Sequence, residues 1–117
     1  MTVLLAASIL PGRAEAWRRM CQELHGSRAE DFSASCRRLG VGCGSAWVLP
    51  TPRGEIAVVW LDVDGPDKIL GELETSSAPF DIWLRRQIRD LIGIEIGPRT
   101  QLDGELVLKW QDSLLPF

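Results

Sequence analysis

The 117 residues are 45% hydrophobic and 25% charged, with a formal net charge of −3. That size and balance describe one globular domain able to bury its own core. They argue against nucleic acid as the main partner, and no apolar run reaches the length of a bilayer span, so no membrane partner is expected.

Residues 2–9 are an apolar run followed by Pro11-Gly12. No positive charge precedes Arg13, so the run reads as a first strand with a turn and not as a secretory leader. Ala14, Trp17, Cys21 and Leu24 then recur at helical spacing and predict a helix over 13–25. Gly26-Ser27 interrupts it. Ser27 and Glu30 match a capping box, which predicts a second helix over 28–39 with Phe32, Cys36 and Leu39 on its apolar side. Gly40 is its stop. Val41 to Pro50 reads as a strand of small residues around Trp47, and 55–63 as the clearest strand in the chain. The short Thr51–Gly54 turn between them predicts an antiparallel hairpin. Pro66 opens the next helix, residues 75–78 break it, and Pro79 restarts a helix to about Ile92, stopped by Gly93. On that helix Asp81 and Arg85 are spaced for an i, i+4 ion pair. Residues 104–110, GELVLKW, read as a last strand.

The order is the βαββαβ pattern of an α+β, ferredoxin-like fold: one domain over 1–117, with helices on one face of a four-stranded antiparallel sheet. Residues Ile56 to Leu61 offer water no polar position. Ala57, Val59 and Leu61 point one way along the strand, and Ile56, Val58 and Trp60 the other. One helical layer hides only one of these sets. A homodimer that packs sheet against sheet is therefore expected.

Strand one leading through Pro11-Gly12-Arg13 to Trp17, the segment GEIAVVWLDVDG and the segment PFDIWLRRQIRDLIGIEI together resemble the dimeric α+β barrel superfamily. That group includes antibiotic-biosynthesis monooxygenase-like, muconolactone isomerase-like and haem-degrading proteins. The last two segments are also similar to uncharacterised small ferredoxin-like domains. The resemblance implies a hydrophobic or aromatic metabolite held between sheet and helices, and a cofactor-free monooxygenase or isomerase. The haem-degrading branch needs a histidine on the later helix. Residues 66–92 contain none, so that activity is not carried over.

His25 is the single histidine, the one side chain whose ordinary pKa lies near neutrality. It reads as a catalytic general base at the mouth of such a cavity, or as a helix-terminal residue settled by the dipole. Trp17, Trp47, Trp60 and Trp83 fall on four different elements. They read as the lining of an apolar pocket for a planar ligand, or as fillers of core and dimer interface. Cys21, Cys36 and Cys43 are odd in number and lack a C-x-x-C pair, which argues against a disulfide framework and for a reducing cytoplasm. Neither a metal site nor a cofactor motif is legible. Two functions follow as expectations: a small-molecule-binding protein of the kind just described, or a non-enzymatic dimerisation module with no ligand.

Overall fold

In the computed structural model, which describes residues 2–94 together with 107, 108 and 110, β3 (Gly54–Val63) is the centre of a three-stranded antiparallel sheet. On one side β1 (Thr2–Ser8) pairs with it, Leu4 opposite Trp60 and Ser8 opposite Ile56. On the other side β2 (Val41–Thr51) pairs with it, Ser45 opposite Trp60 and Leu49 opposite Ile56. A bulge between Val41 and Cys43 resets the register at the start of β2. The expected hairpin is therefore present, and the order β1-β3-β2 is compatible with a ferredoxin-like sheet. Of the expected last strand over 104–110, positions 104–106 and 109 lie outside the described residues. Val107, Leu108 and Trp110 are in no strand and stand in solvent.

Among the described residues four helices, α1 (Ala14–Leu24), α2 (Ala29–Leu39), α3 (Pro66–Thr75) and α4 (Pro79–Ile92), supply the layer on one face. Trp17 and Met20, one turn apart on α1, sink into a cluster with Ile9, Ala57, Leu91 and Ile92. A second cluster joins Val3 and Val63 to Leu39, Ile69 and Leu73. Each large apolar side chain buried this way contributes about 1.5–3 kcal/mol. Ala57, 1% exposed, is the central-strand residue buried in the first of these clusters. Gly40 (φ 76°) and Gly93 (φ 69°) end α2 and α4 in the left-handed region that glycine enters without strain.

The capping box at Ser27 and Glu30 does not form. Arg28 stands at the cap position of α2, and no side chain caps the helix. Backbone carbonyls do the work instead: Gly26 and Arg28 N–H groups donate to the Glu23 oxygen, and Ala29 N–H donates to the Gly26 oxygen. The turn between α1 and α2 is tight enough to satisfy its own amides.

The β2–β3 contact depends on one missing side chain. A Cβ on Gly44 would come within 2.6 Å of Leu61 Cδ2 and 2.7 Å of the Trp60 carbonyl oxygen. Gly44→Ala is expected to lower unfolding stability by about 1–3 kcal/mol, the cost of overpacking against backbone. Gly42→Ala, whose Cβ would meet only the Asp62 carbonyl oxygen at 3.9 Å, is expected to stay within about 0.5 kcal/mol. Denaturant titration of the two variants reads the difference.

Candidate functional site

The side of the sheet turned away from the described helices carries a set of apolar side chains. Because residues directly opposite one another share a face, the registers build it in rows. The row of Trp60 is flanked by Leu4 on β1 and Ser45 on β2. The row of Val58 is flanked by Ala6 and Trp47, and the row of Ile56 by Ser8 and Leu49. Leu4 (54% exposed), Trp47 (52%) and Leu49 (50%) stand half in water, while Ile56, Val58 and Trp60 are half-buried between them. No helix lies over this face among the described residues; the helices are engaged on the opposite side by Ala57, Val59 and Leu61. At the hairpin end the face runs into a hollow of about 320 Å³ lined by Ser8, Ile56 and the 51–55 turn.

The five residues singled out in the sequence are divided between the two sides of the sheet. Trp47 and Trp60 lie on the bare face as diagonal neighbours. Trp17 is 3% exposed in the core under the helices, where its indole N–H has no hydrogen-bond partner among the described residues. Trp83 belongs to an aromatic seam between α2 and α4. Its ring sits 5.6 Å from that of Phe80, which is 6.2 Å from Phe32, and the Arg28 guanidinium lies 3.9 Å over it. His25 is exposed at the C-terminal end of α1. A cleft of about 500 Å³ runs between α1 and α4, lined by Arg19, Gln22, Glu23 and Gln87 among others. None of the five lines it. The helix–sheet pocket expected to gather them is thus not assembled, because the sheet itself stands between Trp17 and the Trp47/Trp60 pair.

Polar groups on the helix side form a clasp that sequence spacing did not reveal. Asp81, in the first turn of α4, is 0% exposed. Ser35 Oγ donates to its Oδ1 at 2.6 Å; Ser76 Oγ and Arg38 Nη1 donate to Oδ2 at 2.5 and 2.6 Å. Three elements are tied together at one carboxylate. The expected Asp81–Arg85 pair does not form, since Asp81 faces inward to these donors. Arg85 donates instead to the carbonyl oxygens of Leu73 and Ser76 at the end of α3. Burial alone would push the Asp81 carboxyl up, but the bonds from Arg38, Ser35 and Ser76 outweigh it and hold it below the ordinary range. The one hint in the sequence is an acid at a helix start between Phe80 and Ile82.

Other ionisable groups tie elements together or lie within the fold. Arg18 on α1 bridges Glu15 at 2.7 Å and Glu55 at 2.8 Å, pinning the first helix to the start of β3. Burial pushes the thiols of Cys21 and Cys36 up, away from the nucleophilic thiolate. Among the described residues no three His, Cys, Asp or Glu side chains converge as a metal site, and no helix is long and apolar enough to cross a membrane.

No family model, curated protein or solved structure matches the chain.

Two outcomes follow from the helix side. Asp81→Ala is expected to lower stability by about 3 kcal/mol, because it leaves buried donors unpaired. Folding depresses the Asp81 pKa, so its contribution is complete above the unfolded carboxyl range near about 3.9 and is lost as pH falls through the folded value. Asp81→Asn is therefore expected to flatten the acid limb of a stability-versus-pH curve. Trp17→Phe keeps most of the buried ring and removes an orphan N–H; thermal unfolding is expected to find it within about 1 kcal/mol of the parent chain or above it.

Proposed function

We propose that the protein is a non-enzymatic association module whose working surface is the bare face of its sheet. The observation that carries this reading is the contiguous row set of Leu4, Trp47 and Leu49 around Ile56, Val58 and Trp60. Single exposed apolar residues are ordinary, but a connected patch of them marks a binding surface. Leaving one such side chain in water forgoes about 1.5–3 kcal/mol of burial. The ferredoxin-like reading of the sheet, joined to the resemblance seen in the sequence, makes sheet-against-sheet pairing of two copies, a dimeric α+β barrel, the form this association takes.

One observation favours a second reading, in which the face holds a small planar hydrophobic metabolite. Trp47 and Trp60 are diagonal neighbours, about 7–8 Å apart along the sheet, which is within reach of one aromatic molecule. His25 stands at the end of α1, on the helix side, and has no part in either reading.

Sedimentation velocity separates them. Under the association reading the parent chain sediments as a dimer at micromolar concentration, and Trp47→Glu sediments as a folded monomer. A parent chain that is monomeric throughout, with a saturable one-to-one quench of its tryptophan fluorescence by a planar aromatic compound, would replace the first reading with the second.

A further inference from the structure

We infer that the outer edge of β2 is a docking site for an extended segment of a partner polypeptide, added to the sheet as a further strand antiparallel to β2. This edge is a different surface from the bare face. The ladder shows which backbone groups it offers. Ile9 N–H donates to the Glu55 oxygen. Successive residues of an antiparallel strand direct their N–H and C=O groups to opposite sides. The odd-numbered residues of β3 therefore bond to β1, and the even-numbered ones to β2. Cys43, Ser45, Trp47 and Leu49, opposite Asp62, Trp60, Val58 and Ile56, direct their backbone groups into the sheet. Gly44, Ala46 and Val48 direct theirs away from it, where no strand pairs with them among the described residues. Pro50, which has no N–H, falls in the same outward series, the place where an edge strand tolerates proline.

Natural edges are closed by charge, proline or a bulge. β2 has its bulge between Val41 and Cys43 and its proline at the other end, and Val41–Thr51 carries no charged side chain. Between those ends the edge is open, and every residue from Gly42 to Trp47 is exposed. The chemistry of the occupant follows from that of the edge, since a row of amide donors and carbonyl acceptors is matched by another extended backbone. Antiparallel addition is the more stable form. On the helix side the added strand meets a recess. Gly44 has no side chain, and half-buried Leu61 fills toward it, its Cδ2 2.6 Å from where a Cβ would stand. A leucine-sized residue opposite Gly44 covers both. The outer edge of β1 lacks this recess: every residue whose backbone groups point outward there, Thr2, Leu4, Ala6 and Ser8, carries a side chain. Charge sets the flanks of the occupant. Arg53 is exposed in the turn past the end of β2, and the Asp64 carboxylate lies beside Gly40 at its start. An antiparallel segment thus enters with an acidic residue near Arg53 and leaves with a basic one near Asp64.

The probe is the acetylated nonapeptide ETTVTVTLK, which sets its glutamate near Arg53, its second valine opposite Ala46 and its leucine opposite Gly44. Calorimetric titration into the full chain is expected to show saturable one-to-one binding, with amide exchange slowed at Gly44, Ala46 and Val48. N-methylation of the second valine, whose N–H points at β2, is expected to weaken binding at least about tenfold, and N-methylation of the threonine after it, whose N–H points away, less than about twofold. Both peptides meet the parent chain, so the comparison does not depend on a variant that folds. Exchanging the terminal glutamate and lysine is expected to weaken binding about two- to fivefold at low ionic strength. No binding at millimolar peptide, equal binding of the two methylated peptides, or tighter binding of the charge-exchanged one overturns the proposal. So does slow exchange at Gly44, Ala46 and Val48 in the free chain: protection that grows with protein concentration puts a second copy on the edge, and protection at every concentration puts the chain's own residues there.

Discussion

The structure is organised around one constraint: β3 is apolar on both faces, and the described helices cover only one of them. Hiding Ala57, Val59 and Leu61 requires α1 and α4 at one end of the sheet and α2 and α3 at the other, which accounts for the two core clusters. The opposite set, Ile56, Val58 and Trp60, is flanked by Leu4, Trp47 and Leu49 and receives no such cover. Such a face costs free energy in water unless something sits on it.

The helical layer is locked by polar chemistry as well as by packing. Asp81, on α4, is buried where that helix meets α2 and the α3–α4 junction, and its donors come from the latter two. A carboxylate so placed is costly to bury alone and strongly held when fully bonded. It ties the start of α4 to α2 and to the end of α3, while the other end of α4 places Leu91 and Ile92 in the cluster with Trp17. Arg18 performs a lighter version of the same task for α1, in a solvated setting where an ion pair is worth less. The polar groups on the helix side thus have structural work to do.

Much of the fold was legible because its signals are local. Pro-Gly, Gly40, Gly93 and the two helix-starting prolines punctuate the chain, and the periods of 3.6 and 2 between them mark helices and strands. The capping box at Ser27 failed for a reason equally local but invisible in a pattern: the turn after Glu23 closes on its own carbonyls. The Asp81–Arg85 spacing failed for a non-local one, since donors 43 to 46 residues away in sequence outcompeted the neighbour on the same helix.

The candidate site shows the same division. By itself the sequence determined that β3 has two apolar faces, since alternation along a strand is a property of the chain, and it determined that Trp47 and Trp60 sit on strands. Tertiary structure alone decided which side of the sheet the helices took, and therefore that Trp17 and Trp83 lie apart from Trp47 and Trp60. It alone aligned Leu4 and Ser45 with Trp60, and Ala6 and Trp47 with Val58, through a register that depends on the bulge at the start of β2. The physical reason is that a residue's face within its own strand follows from stereochemistry, whereas its neighbours across the sheet follow from pairing. A shift of one residue in that pairing would turn the whole of β2 over.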